Sequence, residues 1–228
     1  MVEAVMLQES VIVAGHPRSG TSLTCQLVES AGVTFPSDFD GDDYNQAGYY
    51  ELERSKELSK DLIDEAMTED NTRQMNNLVR RLNDLDGLSG LKIVRIPALF
   101  FYRHIAKDFR VVFVYRHPAN VKASLLKRGI SEFPISWYDN NNAIVAAYEN
   151  IERSIIVSYD ALLGGEDHVQ QGFEKLGLDV DMDLASEDQR TQSNSQMCVT
   201  RDEEKVYERL QSLEEESCSG GNSSSFFF

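Results

Sequence analysis

The segment Gly15-His16-Pro17-Arg18-Ser19-Gly20-Thr21-Ser22 gathers the groups that hold a phosphate or sulfate: a cation, hydroxyls and glycine-permitted backbone. Its frame matches the phosphate-loop spacing G-x-x-x-x-G-K-[ST], except that Thr21 stands at the lysine position. In a nucleoside triphosphatase that lysine reaches the β and γ phosphates, so ordinary ATP hydrolysis is disfavoured. The cation here is Arg18, nearer the crown of the loop, whose flat fork of donors suits a pair of anionic oxygens. Consecutive N–H groups opening a helix hold such oxygens without side-chain charge. Pro17, Ser19, Gly20, Thr21 and Ser22 complete the candidate contacts. His16 has two readings, an acid or base, or a side chain that satisfies backbone groups beside a buried strand.

A second anion signal lies in Tyr115-Arg116-His117-Pro118-Ala119-Asn120-Val121-Lys122-Ala123-Ser124. Arg116 closes a strongly apolar run, at the strand end where ligand loops of open α/β sheets gather. Pro118 suits a first helical turn, and Ser124 falls four residues beyond Asn120 on one helical face. Lys122, Lys127 and Arg128 add local positive charge, either as contacts or as a solvated helix face.

These groups need a frame. The run Val11-Ile12-Val13-Ala14 reads as a buried strand, and Leu23, Leu27 and Ala31 recur at helical spacing after the loop. Further strands are expected at Leu91 to Ile96, Val111 to Tyr115 and Ile155 to Val157. The middle one is too uniformly apolar for a sheet with one wet face. Helical patterns cover much of 52 to 86, then Ala98 to Ala106, Pro118 to Lys127, Ala143 to Ile151, one more packed helix and its exit at Phe173, Leu176 and Leu178, and Asp202 to Glu216. Residues 33 to 50 read as an acidic, aromatic surface loop. Alternation of strands and helices predicts an α/β three-layer sandwich with a mainly parallel central sheet. Residues 1 to 216 are expected to form a single domain, and 217 to 228 a flexible tail.

The chain has 228 residues and a formal net charge of -16, which argues against general binding to nucleic-acid backbones. No stretch reaches the roughly 20 apolar residues that span a bilayer. Cys25, Cys198 and Cys218 have no metal-ligand or disulfide spacing, and with no evident secretory leader the expected location is the cytoplasm. Asp38, Asp40, Asp42 and Asp43 superficially resemble a calcium loop, but Gly41 stands before the third carboxylate rather than after it, so no metal is expected.

With both motifs in view, the chain resembles the nucleotide-dependent sulfotransferase superfamily, in particular its divergent bacterial-type members. GHPRSGTS looks like that family's 5'-phosphosulfate loop, and YRHPANVKAS like its 3'-phosphate motif. The resemblance implies a P-loop nucleotide-kinase-like fold and 3'-phosphoadenosine 5'-phosphosulfate (PAPS) as donor, with the 3',5'-bisphosphate (PAP) as product. It implies 5'-phosphosulfate contacts from Arg18 to Ser22, 3'-phosphate contacts from Arg116 and Ser124, and a weaker match at Arg190. Asn45-Gln46-Ala47-Gly48-Tyr49-Tyr50-Glu51 looks like a family segment ending in a glutamate, which makes Glu51 the candidate base; a helix first turn is its other reading. Lys92 looks like a family strand residue facing the sulfuryl group, with a strand-edge salt bridge as the alternative. The acceptor would be a small hydroxylated molecule or carbohydrate. Tyr44, Tyr49, Tyr50, Trp137 and Tyr138 would line its pocket or anchor the core. A nucleotide or small-metabolite kinase and a non-catalytic nucleotide-binding module are the competing classes.

Overall fold

The computed structural model describes residues 3–41, 48–64, 68–102, 105–106, 108–131, 133–185 and 197–218. Its sheet is parallel, with strands in the order β2-β3-β1-β4-β5. These are β1 (Ser10–Gly15), β2 (Val33–Thr34), β3 (Leu88–Ile93), β4 (Phe109–Tyr115) and β5 (Ser154–Ser158). Every residue of β1 is buried, as a strand covered on both faces requires. Alternate side chains feed two cores. On one face Val11, Val13, Val112, Val114, Ile155 and Val157 meet helices α1 (Thr21–Ser30), α7 (Tyr159–Gly164) and α8 (Asp167–Lys175). On the other, Ile12, Ala14, Leu91, Phe113, Tyr115 and Ile156 meet the remaining helices. Those are α2 (Glu53–Asp64), α3 (Glu69–Asn83), α4 (Leu99–Tyr102), α5 (Pro118–Lys127), α6 (Trp137–Tyr148) and most of α9 (Arg201–Cys218). The expected three layers are therefore present.

The helix after β1 lies on one face and the helix after β4 on the other, although β1 and β4 are neighbours. Their loops must part, and a crevice opens between the two strand tips; in open α/β sheets this switch point is where ligands bind. The loops that part there carry Arg18 and Arg116.

Several boundaries moved. β3 begins at Leu88, three residues before the expected strand, and includes Gly90. A Cβ on Gly90 would lie 2.6 Å from the Phe35 ring, so this glycine permits a close packing contact inside a strand rather than marking a turn. The region expected as loop after residue 32 contains the short strand β2. Helix α6 starts at Trp137 because Ser136 caps it, its hydroxyl accepting from Asp139 N at 3.0 Å. Helix α7, which the apolar periodicity did not show, follows β5 directly. Helix α9 runs to Cys218, so Ser217 and Cys218, expected in the tail, are buried in the domain; residues 219–228 lie outside the described set. No helix among the described residues is long and apolar enough to cross a membrane.

Candidate active site

The turn after β1 is tight. Arg18 has φ 69° and Gly20 φ 100°, both in the left-handed region. A Cβ on Gly20 would stand 2.5 Å from the Tyr159 ring, so backbone and ring approach as only glycine allows. Gly20 opens α1, and no side chain caps that end. First-turn N–H groups of a helix have no intrahelical acceptor, which suits a helix start to anionic oxygens. Ser19 is fully buried, and its hydroxyl has no hydrogen-bond partner among the described residues. A buried orphan hydroxyl beside an uncapped helix start, with arginines around it, fits an anionic oxygen set.

The two anion motifs meet here. Arg18 Nε donates to Ser124 Oγ at 3.0 Å across 106 residues of sequence. Arg116 is buried, its Nη1 lies 3.4 Å from the Arg18 carbonyl oxygen, and its guanidinium sits 4.3 Å over the Tyr159 ring. Burial first, and then the nearby Arg128 and Arg116 charges, lower the Arg18 guanidinium, with Tyr49 and Tyr159 opposing. A guanidinium remains charged at any working pH, so three positive groups stand near one another in an acidic chain.

Thr21, at the lysine position of the loop, is buried and carries no charge. An ammonium arrives from the neighbouring strand instead. Lys92 of β3 places Nζ 3.0 Å from Ser22 Oγ, 2.7 Å from the Tyr49 carbonyl oxygen and 3.0 Å from Glu51 Oε1. Lys56 of α2 takes the other Glu51 oxygen at 3.1 Å. Burial raises the Glu51 carboxyl, but Lys92 and then Lys56 outweigh it and hold the group below its ordinary range. Glu51 thus faces the loop as a carboxylate, and the helix-end reading gives way: α2 begins two residues later.

Tyr49 hydroxyl accepts from Arg128 Nη2, and the Arg128 guanidinium lies 5.5 Å from the Tyr49 ring centre. Arg128 had been a face-or-contact ambiguity in the sequence; it belongs to this cluster. Tyr50 has φ 55° and packs edge-on to Phe35, in the core rather than over the loop. Trp137 is likewise a brace, since its indole Nε1 donates to the Arg116 carbonyl at 3.1 Å. Tyr138 is exposed and makes no described contact with the cluster. His16 is buried, its Nδ1 lies 2.8 Å from the Pro17 carbonyl, and its ring meets Phe133 edge-on. Burial lowers its basicity against two backbone carbonyls that raise it, and the ring is engaged with backbone. That is the second of its two readings. Lys122 turns away and pairs with Glu203 at 2.7 Å.

Arg190, Tyr44, Asp42 and Asp43 lie outside the described residues. Asp38 pairs with Arg81 at 2.9 Å and accepts from Glu53 N, and no metal-holding cluster exists among the described residues. Sequence reading missed Tyr159 and Lys56. Tyr159 had a usable signal: it follows a strand tip just as Arg116 does. Lys56 is an ordinary lysine on an amphipathic helix, and only the fold carries it to Glu51.

No protein-family model matches this sequence, and no curated protein matches it. Solved structures do. The chain is similar to the sulfotransferase domain from the Synechococcus PCC 7002 olefin synthase, with TM-score 0.54, 16% identity, and coverage of 92% of this chain and 97% of that one. The chain has the sulfotransferase fold. A second likeness, to the sulfotransferase domain from the curacin biosynthetic pathway, has TM-score 0.53, 13% identity, and coverage of 90% and 98%. Identities this low speak for the fold alone, and the chemistry rests on the cluster described above.

Proposed function

We propose that the chain is a sulfotransferase that takes a sulfuryl group from PAPS to a hydroxyl of a small molecule or carbohydrate. The observation that carries this reading is the convergence of two separate anion motifs, with Arg18 hydrogen-bonded to Ser124 at 3.0 Å and Arg116 behind them. A single loop would suit any phosphate. Two cationic centres on opposite sides of the β1–β4 crevice suit a nucleotide with phosphates at both its 5' and 3' positions.

When bound, the nucleotide supplies the sulfuryl group and departs as the bisphosphate. The chain's residues do the rest. The α1 N-terminus, Ser19, Thr21 and Ser22 hold the 5' oxygens, while Arg18 and Lys92 face the charge that builds on the leaving oxygen. Arg116 and Ser124 hold the 3'-phosphate. Glu51 takes the proton of the incoming hydroxyl, and for that it must loosen one of its two lysine pairs. With arginine and backbone dipoles in these positions, the reading includes no metal. A location in the cytoplasm remains the expectation.

Calorimetric titration with 3',5'-adenosine bisphosphate, 5'-AMP and ATP without magnesium tests the reading. The expected result is preference for the bisphosphate and a loss of roughly 10- to 100-fold in Arg116→Ala, the range for one charge-assisted contact. Equal affinity for all three nucleotides overturns it and favours a kinase or a generic phosphate module.

A further inference from the structure

β5 is an edge strand, and an edge presents unpaired N–H groups that must be covered. Helix α9 covers it with side chains. Ile156 N donates to Ser217 Oγ at 3.0 Å, and Ser158 N donates to Glu214 Oε1 at 2.7 Å. A serine is a sufficient cap at the first of these positions. At the second the chain has buried a carboxylate, with 6% of the residue exposed, and no lysine or arginine pairs with it among the described residues. A described side-chain neighbour of Oε1 is the His168 ring, whose Nε2 lies 3.4 Å away. Burying a charge in this way is costly, and a neutral acceptor would have served Ser158 alone.

The second carboxylate oxygen explains the choice. Tyr115 Oη donates to Glu214 Oε2 at 2.6 Å, so one side chain ties the tip of β4 to the tip of β5. Tyr115 and Ser158 are partners in the last pair of the β4–β5 ladder. The next residues outward are Arg116 and Tyr159, whose guanidinium and ring stack at 4.3 Å. The Tyr115 hydroxyl stays a donor, because burial and then the Glu214 charge raise its ionisation.

We infer that Glu214 is a positioning residue for the anion site: by bridging Tyr115 and Ser158 it sets the relative height of the two strand tips and so the Arg116–Tyr159 stack. This rests on the proposed nucleotide site for its consequence in binding, but not for its consequence in geometry. Trp137, the one tryptophan of the chain, donates its indole N–H to the Arg116 carbonyl and reports on the same backbone.

The test compares the indole N–H resonance of nitrogen-labelled protein, and titration with 3',5'-adenosine bisphosphate, in Glu214→Leu and Glu214→Gln. Gln keeps an oxygen for Ser158 N, and its amide N–H can donate to the Tyr115 hydroxyl oxygen, so Gln holds both strands by reversing one hydrogen bond. It should leave the resonance in place and the affinity within about threefold. Leu should shift or broaden the resonance and weaken the bisphosphate about tenfold, with 5'-AMP little changed. A folded Glu214→Leu protein with both readouts unchanged overturns the inference. Equal loss of affinity in both variants with an unmoved resonance also overturns it. Should Glu214→Leu fail to fold, Tyr115→Phe removes the β4 arm of the bridge alone and must move the resonance. If the wild-type chain shows no preference for the bisphosphate, the donor reading fails, while the resonance comparison still decides the role of Glu214.

Discussion

The β1–β4 side of the crevice and its β3 side differ in the groups described around their cations. On the β1–β4 side, the partners described for the arginines are a serine hydroxyl, a carbonyl oxygen and aromatic faces: Ser124 for Arg18, the Arg18 backbone and Tyr159 for Arg116, Tyr49 for Arg128. On the β3 side, Lys92 and Lys56 share one carboxylate, Glu51, which neutralises much of their charge in place. The first arrangement gathers three guanidinium groups where the two anion motifs meet. The second is a closed set whose carboxylate becomes available only when a pairing loosens. Binding and proton transfer should therefore be separable by mutation.

The largest expected effect follows directly. Glu51→Gln should lower the turnover number for transfer by roughly 10²- to 10⁴-fold, the range for a lost general base, and change bisphosphate affinity by less than about threefold. Equal losses in rate and affinity would abolish the division between the two sides. Next is Gly20→Ala, which drives a Cβ to 2.5 Å from Tyr159 at φ 100°. It should cost about 2–4 kcal/mol and lower the melting temperature by roughly 4–16 °C. Gly32→Ala is the control, with φ 83° but open space around it; its expected loss is nearer 1 kcal/mol, and bisphosphate affinity should be unchanged.

A smaller effect sharpens the β3 side. Because the Glu51 carboxyl is held low, its base form persists as pH falls through the ordinary glutamate range, near 4.3. The acidic limb of the kcat/KM profile should lie below that range. Lys56→Ala removes one opposing charge and raises the carboxyl, so the limb should move to higher pH; an unmoved limb would remove Glu51 from the role of base. The smallest expected effect is that of a chelator. Since arginines and N–H groups supply the positive field, bisphosphate titration with excess EDTA should match titration without it.

Local sequence made the β1–β4 side legible. An apolar run, a glycine loop and a helical pattern each lie within a few residues of one another, and a run of N–H groups can hold an anion wherever that order occurs. Arg116 was found for the same reason, as the residue ending the most apolar strand. The β3 side was harder to read. Glu51 and Lys92 were reached through a resemblance, and Lys56 was not reached at all, because nothing within α2 records which residue its exposed face meets. Gly90 shows a related limit: a glycine that admits a ring from β2's exit has the same local signature as one that turns the chain.

By itself, the sequence determined the parallel α/β plan, the strand–loop–helix order at both anion motifs, and the residue types at the strand tips. Those follow from apolar runs buried on both faces and from short-range backbone preferences, which act over a few residues. Tertiary structure alone decided that Arg18 meets Ser124, that Lys92 reaches Ser22 of the loop, that the His16 ring meets backbone, and that Glu214 of the last helix bonds the tips of β4 and β5. Each of these joins groups distant in the chain or fixes a side chain by burial. Strand order and the packing of helices onto the sheet set those distances, and neither is encoded in any one segment.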